Sequence, residues 1–209
     1  IGDMNGIGET YNQIGIIYVL SNKYDEGIDY QTRAIKMYKK LDNNYGLGFS
    51  LNWFGNTFTK IGMYDRALLS YEQSLDIHEK INTKRGISFS LGNLGRLLSK
   101  KGEYNKALKY LNRSIKIFEK LGEDKGSQAS YLRSIGNIHF KKNKFDKALY
   151  YFEKTLPMAR HTYKHDAIQN KIYLYLTYKQ LGKEYDEKEI QTLIKKTVNP
   201  YFEFELNFR

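Results

Sequence analysis

The side chains best able to recognise another molecule recur at a fixed spacing along this chain and do not cluster at one point. They stand three residues before, one residue after and five residues after a glycine that recurs about every forty residues. In a helix these three offsets fall on one line, so each set faces one way. The residues are Asn12, Asn52, Asn56, Lys60, Arg96, Lys100, Arg133, Asn137 and Lys141, with Trp53 and Asn93 beside them.

These residue types suit the binding of a peptide. An asparagine carboxamide offers both a donor and an acceptor, so it can pair with a peptide unit whatever the side chains are. Arg96 and Arg133 can each hold a carboxylate through two hydrogen bonds, and Trp53 offers a flat apolar surface. The pattern predicts a groove for an extended or helical peptide of acidic character. The alternative is that asparagine and lysine simply solvate a helix face in a chain rich in both.

The histidines do not predict a metal site. His161 and His165 stand four residues apart with Asp166 beside them, which would suit a metal pair if one helix spanned them. They fall at a junction between repeats, where helical spacing need not hold. His139 is expected to be a core ring with one hydrogen-bonded nitrogen, and His78 is expected to lie on the surface. We predict no metal and no cofactor.

The sequence also lacks the common catalytic motifs. The glycine pairs at residues 6–8 and 46–48 have no third glycine to complete a phosphate-binding loop, and no GK[ST] occurs. There is no GxSxG, no HExxH and no cysteine nucleophile. The chain is therefore expected not to be an enzyme.

Four repeats must position these residues. The recurring glycine is followed nine residues later by an aromatic residue and twelve residues later by a small one, and successive glycines are 40, 40 and 41 residues apart. Such a period is typical of a solenoid in which each repeat contacts mainly its neighbours. The glycines are Gly15, Gly55, Gly95 and Gly136, the aromatic residues are Tyr24, Tyr64, Tyr104 and Phe145, and the small residues are Gly27, Ala67, Ala107 and Ala148.

Each repeat contains two apolar patterns of helical period. A glycine in the middle of a helix costs about 1 kcal/mol relative to alanine, so its recurrence predicts a close helix crossing that a β-carbon would block. We predict an all-α fold, a right-handed α-solenoid of antiparallel helix pairs. The turns inside the pairs hold residues that adopt the left-handed conformation ending a helix, namely Asn22, Gly62, Gly102, Asn143 and Gly182.

The repeat register also sets the predicted boundaries. The opening residues match the later junctions between repeats, so we expect them to end a preceding repeat in a fragment of a larger protein. Pro157 should kink its helix or end it early. The predicted segments are 1–6 (the end of a preceding repeat), 7–41, 46–81, 86–121 and 126–163 (four repeats), 164–198 (a degenerate capping repeat) and 199–209 (a further helix or an extended tail).

The repeated unit resembles a tetratricopeptide repeat. The resemblance rests on the apolar residue and glycine in the first helix (Phe54-Gly55 in the second copy), the aromatic residue in the turn and the small residue three further on. The forty-residue period is similar to that of the subclass in kinesin light chains and in bacterial peptide-pheromone receptors. The resemblance implies binding of a peptide or helix along the concave face, with asparagines holding the peptide backbone.

Composition leaves two other functions open. The formal net charge of +11 permits an acidic partner or nucleic acid, although many lysines fall at predicted helix ends, where cations complement the helix dipole. Nucleic-acid binding and self-association through exposed solenoid ends are the alternatives to peptide binding. No apolar run is long enough to span a bilayer. The lack of cysteine fits a reducing compartment, and a cytoplasmic location is expected.

Overall fold

The computed structural model describes residues 4–122, 124–161 and 164–196. Within these residues the chain forms helices joined by short turns, and no strand is present. The α-helices are α1 (Met4–Leu20), α2 (Tyr24–Lys40), α3 (Asn44–Lys60), α4 (Tyr64–Lys80), α5 (Lys84–Lys100), α6 (Tyr104–Leu121), α7 (Lys125–Lys141), α8 (Phe145–Thr155), α9 (Lys164–Gln180) and α10 (Glu187–Lys196). The predicted all-α fold is confirmed.

The helices pack as consecutive antiparallel pairs, which confirms the predicted solenoid of helix pairs. The chain divides into two compact units, Ile1–Leu121 and Gly122–Arg209. In the first unit α1 pairs with α2, α3 with α4 and α5 with α6, and each pair packs on the next. In the second unit α7 pairs with α8, and α9 packs on α8 and α10.

The recurring glycine lies where the two helices of a pair cross, as predicted. A β-carbon on Gly55 would come 2.5 Å from the ring of Tyr71, and one on Gly95 would come 2.6 Å from Cγ of Leu111. Real β-carbons do not approach other atoms so closely, so only glycine allows these crossings. The facing small residue, for example Ala67, is fully buried.

The turns inside the helix pairs take the predicted left-handed conformation. The φ angle is +80° at Gly62 and Gly102 and +60° at Asn22, which is the region that glycine and asparagine adopt most readily. The second helix of each of these pairs therefore begins within a few residues of the end of the first and runs back along it.

The last two helix pairs are less regular than the others. Helix α8 ends at Thr155, two residues before Pro157, and continues as a 3-10 turn over Leu156–His161, which confirms that the proline ends the helix early. Asp186 accepts a hydrogen bond from the backbone nitrogen of Glu189 at 2.9 Å and so caps the start of α10. The predicted segment 1–6 lies partly outside the described residues, and the predicted segment 199–209 lies wholly outside them.

Candidate functional site

One face of the first helices of the N-terminal unit stays open to solvent. Helices α3 and α5 are buried on most sides by their partner helices and by each other. Side chains on the remaining stripe are spaced three, four or seven residues apart, as one helical face requires. We call this stripe the first-helix face; it consists of Tyr45, Phe49, Trp53, Asn56 and Lys60 on α3 and Arg85, Phe89, Arg96 and Lys100 on α5.

The asparagines three residues before the recurring glycine link successive first helices. The Nδ2 group of Asn12 donates to the hydroxyl of Ser50 in the next repeat. Asn52 repeats this contact one period later, donating to Ser90 at 2.9 Å and also to Ser74 at 2.8 Å. The side chain of Asn52 is only 4% exposed, so its carboxamide serves the packing of the repeats.

Two other predicted residues are engaged in the same way. Asn93 is buried, and its Nδ2 group donates to Oδ1 of Asn52 at 3.3 Å. In the second unit Arg133 is 8% exposed and donates to Oε1 of Gln169. Buried polar groups need such partners, so these side chains act first as framework between helices.

Asn56 faces the open stripe with one half of its carboxamide free. Its Oδ1 atom accepts a hydrogen bond from the hydroxyl of Tyr71 at 2.8 Å, and Thr59 lies 3.1 Å from the same hydroxyl. Burial raises the pKa of Tyr71 to about 12, so that hydroxyl keeps its proton and remains a donor. The Nδ2 group of Asn56 is therefore held in place as a donor on the first-helix face.

The neighbouring positions on α5 carry unpaired cations. Arg96 and Lys100 are exposed and make no hydrogen bond or ion pair with any described residue. Trp53 is 42% exposed on the adjacent α3. A donor, two cations and an aromatic ring thus share one stretch of the first-helix face.

Lys60 is occupied at the end of a neighbouring helix. Its ammonium group donates to the backbone oxygen of Val19 at 2.9 Å and to Oδ1 of Asn22 at 3.4 Å. It also lies 5.5 Å from the centre of the Tyr24 ring. Because the free carbonyl groups at the end of α1 attract a cation, Lys60 stabilises the turn between α1 and α2.

In the second unit, Asn137 and Lys141 complete the predicted set. Both residues are half-buried on α7. The Oδ1 atom of Asn137 is buried and has no hydrogen-bond partner among the described residues. Their role in ligand binding stays a prediction.

Sequence reasoning missed an aromatic end of the first-helix face. Tyr45 and Phe49 on α3 have ring centres 4.9 Å apart, and Phe49 lies 6.1 Å from Phe89 on α5. The guanidinium group of Arg85 lies 5.8 Å from the centre of the Phe89 ring. The sequence did contain a signal for these rings. The positions six and ten residues before the recurring glycine lie on the same helical line as the positions three residues before it and one and five residues after it.

The prediction that His78 lies on the surface is wrong. His78 is fully buried: its ring fills the space left by Gly48 and Gly86, and neither ring nitrogen has a hydrogen-bond partner among the described residues. Burial lowers the pKa of His78 to about 4. His139 is half-buried and stacks on the ring of Tyr151, with ring centres 5.5 Å apart, and its Nδ1 atom has no hydrogen-bond partner among the described residues. Burial and nearby lysines lower its pKa.

The described residues hold no group of three or more potential metal ligands. His161 lies in the 3-10 turn and His165 in α9, so one helix does not span them. None of the helices in the described ranges is long and apolar enough to cross a membrane.

Comparison with known proteins identifies the repeats. The tetratricopeptide repeat family model matches residues 6–80 and 87–161, which together are more than two thirds of the chain. A search of curated protein sequences found no match.

Solved structures share the fold at low sequence identity. Aspartyl phosphate phosphatase F from Bacillus subtilis is 20% identical with a TM-score of 0.78, over 93% of this chain and 50% of that one. A Rap protein complexed with Competence and Sporulation Factor is 16% identical with a TM-score of 0.76, over 93% and 53%. Kinesin light chain repeats from Podosopora anserina are 14% identical with a TM-score of 0.67, over 93% and 94%. The chain spans about half the length of the first two proteins.

Proposed function

The chain belongs to the tetratricopeptide repeat family, and we propose that it is a non-catalytic scaffold that binds an acidic peptide segment along its first-helix face. Proteins of this family generally act through interactions with other proteins, which fits an array of helix pairs with one open stripe. We further propose that the chain is the interaction part of a larger regulatory or signalling protein, and that it works in the cytoplasm.

One observation carries this proposal: the open stripe presents hydrogen-bond donors and cations that no part of the described protein uses. Asn56 offers an Nδ2 donor while its Oδ1 atom is held by Tyr71. Arg96 and Lys100 are exposed and have no hydrogen-bond or ion-pair partner in the described ranges. A carboxylate and a peptide carbonyl are the acceptors that such a set binds best.

The rigidity of the face favours binding. Asn52 donates to Ser74 and Ser90 and accepts from Asn93, and these hydrogen bonds tie α3, α4 and α5 together beneath the stripe. A preformed face spends little free energy on ordering when a ligand binds. Asn52 and Asn93 therefore support recognition without contacting the ligand.

Selection from a library of short randomised peptides tests the proposal. Peptides that bind the natural chain should be enriched in aspartate and glutamate, and their affinity can be measured by fluorescence anisotropy. The double variant Asn56→Ala/Arg96→Ala should weaken binding at least about tenfold, because a hydrogen bond to a charged group contributes about 1.5–3 kcal/mol. Its melting temperature should fall by no more than a few degrees.

A matched variant removes a cation away from the face. Arg113 on α6 pairs with Glu79 at 3.8 Å and is exposed, so Arg113→Ala should leave peptide affinity unchanged. If Arg113→Ala weakens binding as much as the double variant does, net charge alone attracts the peptides. If no peptide binds, or if the double variant binds normally, the proposal is wrong.

The basic surface keeps nucleic-acid binding as the competing function, and the same assay separates the two. An oligonucleotide held by phosphate contacts would lose affinity steeply and linearly on a log–log plot against salt concentration. A peptide held by one or two charge pairs would show a shallow dependence. Self-association through solenoid ends would appear as light scattering that rises with protein concentration.

A further inference from the structure

Helix α3 displays three aromatic residues in a row on its open side. Tyr45, Phe49 and Trp53 are four residues apart and so stand one above the other along the helix. Tyr45 is 54% exposed and Trp53 is 42% exposed, with Phe49 half-buried between them. Partly exposed aromatic residues that stand together on one helix face favour contact with an apolar group of another molecule.

Helix α5 extends this surface sideways. The ring of Phe89 lies 6.1 Å from that of Phe49 and packs edge-on against Phe118 at 5.3 Å, which fixes its orientation. Arg85 covers one side of Phe89. Tyr45, Phe49 and Phe89 thus form a three-ring patch, called here the aromatic patch, near the start of α3 and α5.

The aromatic patch and the cationic end of the face are a fixed distance apart. Phe49 precedes Asn56 by seven residues, and Phe89 precedes Arg96 by seven. Seven residues of helix rise about 10 Å. An extended peptide covers about 10 Å in three residues. Both helices therefore set the same spacing between an apolar contact and a donor for a carboxylate.

We propose that the peptide bound by the first-helix face carries one bulky apolar side chain and, about three residues from it, an acidic residue. The apolar side chain sits on the aromatic patch, and the carboxylate accepts hydrogen bonds from Arg96 and Asn56. This inference rests on the proposed peptide-binding function and adds the identity and the spacing of its two recognition points.

Peptide selection on three proteins tests the inference. The natural chain should enrich peptides that hold both features at this spacing. With Arg96→Gln as bait, the apolar residue should stay enriched and the acidic one should not. With Phe89→Ser as bait, the acidic residue should stay enriched and the apolar one should not. Tyr45→Ser provides the same test at an exposed position, in case loss of the Phe89–Phe118 contact impairs folding.

A double-mutant cycle then localises the contact. In a peptide selected on the natural chain, replacing the apolar residue by alanine should weaken binding at least about tenfold. The same replacement should change binding to the Tyr45→Ser or Phe89→Ser protein by less than about twofold, because the partner surface is already reduced. Equal losses on all the proteins would place the apolar residue elsewhere and overturn the inference.

The possible failures are distinguishable. Acidic peptides selected without any apolar preference would overturn the aromatic patch as a ligand contact and leave the proposed function standing. A complete lack of peptide binders would reject the proposed function itself. Self-association of the free protein that Tyr45→Ser abolishes would show that the patch contacts a second copy of the chain, which also overturns the inference.

Discussion

Acidification should destabilise the N-terminal unit through one buried histidine. The ring of His78 lies between α3 and α5, against Gly48 and Gly86 and beside the rings of Tyr45 and Phe49. Within the described part of the chain, no acceptor or carboxylate pairs with either ring nitrogen. A proton added to this ring would therefore create an unpaired charge in a fully buried site.

The size and sign of the effect follow from the pKa of His78. Burial lowers this pKa from 6.5 to about 4 in the folded chain, whereas the unfolded chain keeps the ordinary value. Between pH 6.5 and pH 4 the unfolded state binds the proton more strongly, so the free energy of unfolding falls as the pH falls. A pKa lowered from 6.5 to about 4 corresponds to a loss of about 3 kcal/mol, complete below pH 4.

His78→Phe isolates this contribution. The equivalent positions one repeat earlier and later are Tyr38 and Phe118, and Tyr38 packs against Gly8 and Gly46 as His78 packs against Gly48 and Gly86. A six-membered ring therefore fits such a site. At pH 7 the variant should be at least as stable as the natural chain, because two unpaired nitrogens are removed.

Urea unfolding followed by tryptophan fluorescence provides the assay. Trp53 is the sole tryptophan of the chain and lies on α3, so its emission reports on the unit that contains His78. The stability gap between His78→Phe and the natural chain should widen by about 3 kcal/mol between pH 7.5 and pH 4. Carboxylates that titrate in the same pH range are present in both proteins, so their contributions cancel in the difference in stability. Parallel stability curves, or a His78 pKa near 6.5 measured by NMR titration, would refute the reasoning.

Two further predictions concern packing between helices. Gly95→Leu should lower the free energy of unfolding by about 3 kcal/mol through overpacking against Leu111. Gly62→Ala, at a turn with open space and φ +80°, should lower it by only about 1–2 kcal/mol through backbone strain. Equal urea midpoints for the two variants would show that Gly95 is not at a tight crossing. Asn52→Ala should lower the free energy of unfolding by about 2 kcal/mol, because it leaves buried partners unpaired. Asn56→Ala should lower it by less than about 1 kcal/mol, because Tyr71 keeps Thr59 as a partner. A smaller loss of stability for Asn52→Ala than for Asn56→Ala would contradict the role of Asn52 in packing the repeats.

The sequence was sufficient for the fold because its strongest signals are local and repeated. A glycine in mid-helix, such as Gly55, lowers helix stability unless another helix packs closely against it. Four glycines spaced 40, 40 and 41 residues apart are therefore poorly explained by chance. Positive φ at Gly62 and Asn22 follows from turn chemistry that is equally local. Each of these inferences needed one repeat and its immediate neighbour.

The site was only partly predictable because exposure depends on contacts between repeats. Helical spacing placed Asn52 and Asn56 on nearly the same line, four residues apart. The structure buries Asn52 against Ser74 and Ser90 but leaves the Nδ2 group of Asn56 open. His78 was assigned to the surface for the same reason: on its own helix it lies among polar residues, and only the glycines of two other helices create the cavity that it fills.

These contacts also predict at which positions a substitution would change ligand preference without loss of the fold. The position three residues before the recurring glycine joins one first helix to the next in both units, through Asn12 and Asn52 in one and Arg133 in the other. A substitution there alters the spacing of the array as well as the surface. The position one residue after the glycine, held by Asn56 and Arg96, points away from those joints. Variation at that position can therefore change what the face binds while the helices that present it stay in place.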